Sequence, residues 1–296
     1  MSVTSAPAPA APAAPRRRSL HGALSGSGAT WLLGPPIAFL VLLLGLPIMF
    51  LVIRTFTNSG LSTALGDEGF RQAIPRTLLM AAVVTVLTLI AGTVYALALG
   101  LAPRWAQVLL FGLLFLIFWT PLLVRTYGWI LLQLPQGAIY WALHGIGLLD
   151  QPLGVYQKTI AAYPAMVHVM MPYAVLPIFQ SLRQIEPTQM RAARVMGARP
   201  LLTLRRVVLP QLRPGMLSAA VLVFIMSLGF FITPSLLGDP TSPTVAGLIG
   251  STFNQPEADN VASAMSLLLL TVVLVLYALS DRLFGISKQW EGEGAS

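Results

Sequence analysis

Six stretches of twenty residues or more contain no Asp, Glu, Lys or Arg: 31–53, 77–102, 105–124, 159–182, 214–238 and 261–280. A helix needs about 20 apolar residues to cross the hydrocarbon core of a bilayer. Within that core each backbone polar group must be satisfied inside the protein, which favours helices over open strands. The pattern predicts an all-α fold, a polytopic membrane helix bundle of about six transmembrane helices. Only 9% of the residues are charged, against roughly 25% in a soluble domain. Too little polar material remains to cover a water-facing surface, and a lipid-facing one needs none.

Charge placement predicts topology. The formal net charge is +8, but the basic residues lie between apolar stretches, so membrane orientation explains them better than nucleic-acid binding. With the N-terminus in the cytoplasm, the cytoplasmic segments carry thirteen Lys and Arg, seven of them between Arg183 and Arg213, and the opposite side carries five. Six spans then return the C-terminus to the cytoplasm. Residues 1–30 read as a disordered Ala/Pro-rich tail ending in Arg16, Arg17 and Arg18, and residues 285–296 as a second cytoplasmic tail. The apolar run after the arginines is too long for a secretory signal and reads as an uncleaved first span. The short connection at Pro103-Arg104 makes the second and third spans antiparallel neighbours.

Chemistry-bearing clusters are scarce. The chain has no cysteine, which excludes disulfides and thiolate metal sites, and His21, His144 and His168 are too far apart in sequence for ligand spacing. No GxxxxGK[ST] loop is present, so no nucleotide is expected on this chain. No catalytic residue, metal site or cofactor is expected either. Residues 134–158 read as an extracytoplasmic loop with a short interfacial helix near 139–144, and Trp129, Tyr140 and Trp141 suit an aromatic belt. Pro164, Pro172 and Pro177 fall inside the fourth stretch, where each removes a backbone donor and favours a kink. They fit irregular packing and a moving gate equally.

The segment 183–215 is too long for a turn between two spans. It predicts two short amphipathic helices: one opened by Pro187 and closed by a left-handed Gly197, the other opened by Pro200 and stopping before Pro210. Met190, Ala193 and Met196 fall on related positions of the first, and Leu201, Leu204 and Val208 recur along the second. A basic hairpin of this kind can lie on anionic lipid or dock on a protein.

Ala192-Ala193, Gly197 and Leu209-Pro210 resemble the EAA loop of ABC importer permeases, with Arg191 where that family usually has Glu. FWTPLLVRTYGWILLQ (118–133) and LGFFITPSLLGDP (228–240) resemble the third and fifth spans of the spermidine/putrescine branch. The likeness covers about 31–284 and implies the type I importer permease fold in a bacterial inner membrane. It also implies partners: a second permease subunit, two ATPase subunits that carry ATP and Mg, an extracytoplasmic binding protein, and the membrane lipid. ATPase coupling would fall to Arg191, Ala192, Ala193, Arg194, Gly197, Leu209 and Pro210. Pathway candidates are Arg125, Tyr127 and Trp129 at the end of the third stretch, with Phe230, Phe231 and Thr233 in the fifth. Arg125 also reads as a snorkelling anchor, and His168, near mid-span, as a neutral polar contact. The implied substrate is a polyamine or related amine, although no acid lies in any of the six stretches. An ion-coupled secondary transporter is the alternative. It ordinarily needs intramembrane ionisable residues, often with internal repeats, and neither an acid in the stretches nor a convincing repeat is evident here.

Overall fold

The computed structural model describes residues 28–56, 59–256 and 258–284. Both predicted tails fall largely outside these residues. Four helices are long and apolar enough to cross a membrane, and two bent helix pairs bring the number to six if each pair is one span. The chain divides into one unit up to Phe50 and a second from Leu51 onward. Helix α1 (Gly28–Phe56) begins within the residues assigned to the tail, and its residues 34–50 are exposed throughout.

In the second unit, α2 (Gly60–Gly66) precedes α3 (Glu68–Leu101). Asp67 caps α3 by accepting from the Phe70 N–H at 2.6 Å. This cap starts the helix nine residues before the uncharged stretch does, so the sequence boundary marked the apolar part and not the helix. Helix α4 (Arg104–Trp119) runs back alongside α3, and Tyr95 Oη donates to the Leu110 carbonyl at 2.6 Å, as antiparallel neighbours require.

The predicted third span is broken. After α4 the chain turns at Thr120-Pro121 into α5 (Leu122–Gln133) and α6 (Ala138–Gly145), bent by 105° from α4. Pro121 has no N–H and disfavours helical geometry at the residue before it. At 16 residues, α4 spans about 24 Å at a ~1.5 Å rise, short of a ~30 Å core. The predicted interfacial helix near 139–144 corresponds to α6.

Helix α7 (Thr159–Arg183) is continuous despite its three internal prolines. Next come α8 (Pro187–Val195), α9 (Pro200–Thr203), a π turn (Leu204–Val208) and α10 (Leu209–Gln211). The predicted fifth span is also broken: α11 (Arg213–Leu228) ends at Gly229, and α12 (Ile232–Leu237) follows Phe230-Phe231. Helices α13 (Val245–Phe253) and α14 (Asp259–Phe284) complete the chain. Thr244 caps α13 by accepting from Gly247 N–H. The sequence reading anticipated neither α2 nor α13; both are too short to register as spans.

The core is α3, α7 and α11, packed on one another. Fully buried Val84, Leu99, Met166, Met170, Val175, Ile178 and Val223 fill it. Lipid tails are as apolar as leucine, so such packing depends on close backbone approach. Gly92 supplies it between α3 and α7, where an added Cβ would sit 2.9 Å from Ala174 Cβ. At Gly215 an added Cβ would collide with Ser181 Oγ and the Pro177 carbonyl, so the start of α11 is seated against the end of α7.

Candidate functional site

The helical hairpin α8–α10 sits between the C-terminal end of α7 and the start of α11. Its first helix follows the local rules. Pro187 takes the first position of α8, and Gly197 exits with φ +75°. The Ala198 N–H reaches back to the Ala193 carbonyl at 3.0 Å, the six-residue bond of a Schellman cap. Met190 and Ala193 face the bundle, Ala193 being 5% exposed. Ala192 and Arg191 face outward. Met196, grouped with Met190 and Ala193 by spacing, is 81% exposed instead. The helix ends at Val195, and the left-handed turn carries Met196 off the packed face.

The second helix does not stop before Pro210. It continues through a π turn, in which the Leu209 N–H bonds the Leu204 carbonyl five residues back. A proline ring clashes with the carbonyl four residues earlier in a regular α-helix, and the wider π register accommodates Pro210 without ending the helix. Gln211 Nε2 donates to the Val207 carbonyl at 2.9 Å and to Gln189 Oε1 at 2.7 Å, which ties α10 to α8. Leu204, Val208 and Leu209 pack on the core, whereas Pro210 is exposed.

The hairpin therefore has a bundle-facing side and an outer side. The outer side joins exposed apolar residues, Val195 at 88% and Met196 at 81%, to the exposed guanidinium-bearing Arg191, Arg199, Arg205 and Arg206. The predicted coupling residues are thus divided: Ala193 and Leu209 anchor the hairpin, and Arg191, Ala192, Gly197 and Pro210 lie outward. Arg194 lies on α8. Between hairpin and bundle is a cavity of about 580 Å³, lined by Leu97, Phe179, Met190, Leu201 and Leu204 among others.

The predicted pathway residues gather where the two broken spans meet. Thr126 and Thr233 are both buried, and their hydroxyls lie 3.1 Å apart, joining α5 to α12. The sequence reading picked out Thr233 but not Thr126, whose partner lies 107 positions away. Trp129 Nε1 donates to His168 Nδ1 at 3.3 Å, linking α5 to α7 and placing His168 in a polar packing contact. Arg125 is half-buried, and its Nε has no hydrogen-bond partner among the described residues. Tyr127 is exposed, Phe230 packs on the core, and the Phe231 ring lies against the Gly250 backbone.

At the end of the bundle away from the hairpin, a cleft of about 230 Å³ is lined by Thr159, Ser235, Asp239, Ser242, Thr244 and Ser251 with apolar neighbours. Asp239 Oδ1 accepts from Thr241 Oγ1 at 2.7 Å and from the Thr241 N–H at 2.8 Å. These bonds, the hydroxyl first, hold the Asp239 carboxyl below the usual carboxylate range. Its sequence position did not reveal that hydroxyl-lined setting.

A helical membrane bundle with broken spans and a basic hairpin slung beneath it defines a transport permease. Residues 92–290 match the family model described as binding-protein-dependent transport system inner membrane component, and the chain belongs to that family. It is 28% identical over 232 residues to the spermidine/putrescine transport system permease protein PotB of Haemophilus influenzae, covering 77% of this chain and 79% of that one. The protein of the same name from Escherichia coli is 27% identical, with 75% and 82% covered. The inner membrane ABC transporter permease protein YdcU of E. coli is 28% identical, with 55% and 54% covered. Among solved structures, the fold is similar to that in a bacterial ABC transporter involved in the import of the acidic polysaccharide alginate. That match has a TM-score of 0.67 at 18% identity, covering 89% of this chain and 98% of that one. A second alginate transporter structure, in complex with an alginate pentasaccharide-bound periplasmic protein, gives a TM-score of 0.70 at 17% identity, covering 89% and 96%. The fold is that of an ABC importer permease.

Proposed function

We propose that this chain forms half of the membrane pathway of an ATP-driven importer for a small cationic amine of the spermidine/putrescine class. A second permease completes the pathway, two ATPase subunits hold ATP and Mg, and an extracytoplasmic binding protein delivers substrate. The chain itself catalyses nothing. The observation that carries this reading is the hairpin at 183–215, with its exposed apolar residues and arginines at one end of the bundle.

The mechanism follows from how the hairpin is held. Its bundle side is fastened by Met190, Leu204, Val208 and Leu209, and the Gln211–Gln189 bond ties its two arms together. Its outward side leaves Val195 and Met196 for a partner surface. Arg191, Arg199, Arg205 and Arg206 add charge-assisted hydrogen bonds to carboxylates there. A push on the hairpin passes to α7 and α11 together because Gly215 seats one against the other. Both breaks in the spans lie on the route: α11 leads into α12, and α12 is tied through Thr233 to α5. Movement of α11 would then reposition Arg125, Trp129 and Phe231 about the path. The hairpin carries the densest positive charge, so positive-inside bias puts it and both termini in the cytoplasm.

The polyamine reading rests on the PotB relatives. The six uncharged stretches of this chain offer no acid to receive a cation, so aromatic faces and partner chains would share that role. Family membership does not favour the ion-coupled alternative. The test is uptake of labelled spermidine and putrescine into proteoliposomes holding the complete transporter. Uptake is expected to need ATP and the binding protein. Uptake by this chain alone, driven by an ion gradient, would overturn the proposal.

A further inference from the structure

We infer that the hydroxyl-lined cleft around Asp239 is an ammonium-binding subsite, which receives one primary amine end of the substrate at the mouth of the pathway opposite the hairpin. This builds on the cationic-amine reading and supplies the acid that the six uncharged stretches lack.

Three observations converge. First, the cleft has the right chemistry: a carboxylate accompanied by hydroxyl oxygens of Thr159, Ser235, Ser242 and Ser251. An ammonium donates three hydrogen bonds and accepts none, so one carboxylate among hydroxyls suits it and an anion is repelled. Second, the carboxylate is held in place and ionised. Both Thr241 bonds fall on Oδ1, with the hydroxyl contributing most to its acidity and Ser242 adding less. Arg76, whose Nη2 is bonded to Gln72 Oε1, is the weaker electrostatic neighbour on the other side. Third, the position is mechanically useful. Asp239 follows α12 directly, and α12 joins α5 through the Thr126–Thr233 contact. A ligand bridging Asp239 and Ser235 on α12 to Ser251 on α13 would hold together two elements beyond the break in the fifth span. The cleft, about 230 Å³, has room for an ammonium with its first methylenes.

The test exploits the absence of cysteine from the chain. Ser235, exposed on the cleft wall, is replaced by cysteine in the complete transporter in nanodiscs. Its modification is timed with three methanethiosulfonates: one ending in ammonium, one in sulfonate and one in a neutral methyl. Labelling is read by mass spectrometry of this chain. With each rate divided by that reagent's rate on free cysteine, because a thiolate by itself favours the cationic reagent, the ammonium reagent is expected to react about tenfold faster than the sulfonate reagent, the effect of one nearby charge in partly screened solvent. Asp239→Asn keeps an oxygen for Thr241 and should abolish that preference. Asp239→Glu should retain it, and the neutral reagent should react equally in all three. An unchanged preference in Asp239→Asn, with an unchanged neutral rate, would overturn the subsite. A neutral rate altered by Asp239→Asn moves the decision to Asp239→Glu, where loss of the preference also overturns it. Spermidine uptake by the unmodified transporter tests the broader reading separately: its absence would refute the polyamine class, while the charge preference would still decide the subsite.

Discussion

Replacing Gly197 by asparagine and, separately, by valine distinguishes two reasons why the hairpin needs glycine there. Gly197 has φ +75°, and an added Cβ would meet nothing within 4 Å in this chain. A side chain therefore creates no clash within the chain, and the intrinsic cost is backbone strain. That strain is roughly 1–2 kcal/mol for an ordinary L-residue, while asparagine adopts the left-handed region much more readily. If strain alone mattered, asparagine would be nearly harmless and valine costly. If a partner surface presses against the turn, both would fail because both add atoms to the contact. A coupling free energy of about 1–3 kcal/mol corresponds to roughly 5–150-fold, so both variants should lower ATP-driven uptake by at least about fivefold. Thermal unfolding of the asparagine variant should stay at the wild-type value. The assay is uptake and ATP hydrolysis in the same proteoliposomes, with unfolding followed in detergent. Full uptake by Gly197→Asn would refute the docking argument, leaving Gly197 as a helix terminator only.

Other outcomes follow from individual contacts. Gly215→Val should destabilise the chain by about 1–3 kcal/mol, the usual range for overpacking, because the colliding Pro177 carbonyl is backbone and cannot swing away; thermal unfolding in detergent measures this. A double-mutant cycle on Thr126→Val and Thr233→Val should return a coupling near 0.6 kcal/mol, about the mean for hydrogen bonds inside membranes. Trp129→Phe removes the donor to His168 but keeps an aromatic ring edge-on to the imidazole, so it should lower thermal stability by less than Trp129→Ala does. The ammonium-over-sulfonate ratio at Ser235→Cys should hold from about pH 8 down to the usual carboxylate range near 4 and fall only below it, because the Thr241 bonds lower the pKa of Asp239 and keep the charge on as pH drops.

The sequence showed the spans because membrane residence restricts composition so severely that a run without charge is informative by itself. It did not show the breaks. Thr120-Pro121 and Gly229-Phe230-Phe231 lie within uncharged runs, and hydropathy is blind to backbone direction. The pyrrolidine of Pro121 was the available signal for the first. At the second, which has no proline at its break, the available signal was Gly229, the residue that ends α11. Local chemistry made the hairpin legible at Pro187, Gly197 and Pro200, where a proline or a left-handed glycine dictates the geometry. The same logic misplaced the end at Pro210, because a π turn offered the proline a second solution. Contacts such as Thr126–Thr233 and Trp129–His168 depend on tertiary packing and have no local signature. Asp239 was visible as an acid past the fifth stretch with Ser235, Thr241 and Ser242 beside it, but the hydroxyls of Thr159 on α7 and Ser251 on α13 reach it only through the fold.

The central claim is that the basic hairpin is the surface on which the ATPase acts. The cysteine-free chain permits a direct measurement. Met196→Cys, 81% exposed at the hairpin turn, is paired with a short photoactivatable maleimide in the complete transporter, with Ser251→Cys at the opposite end as the comparison. The account predicts that Met196→Cys cross-links to the ATPase subunit, with a yield that changes on adding ATP, and that Ser251→Cys does not. Cross-linking to the ATPase from Ser251→Cys and none from Met196→Cys would contradict it.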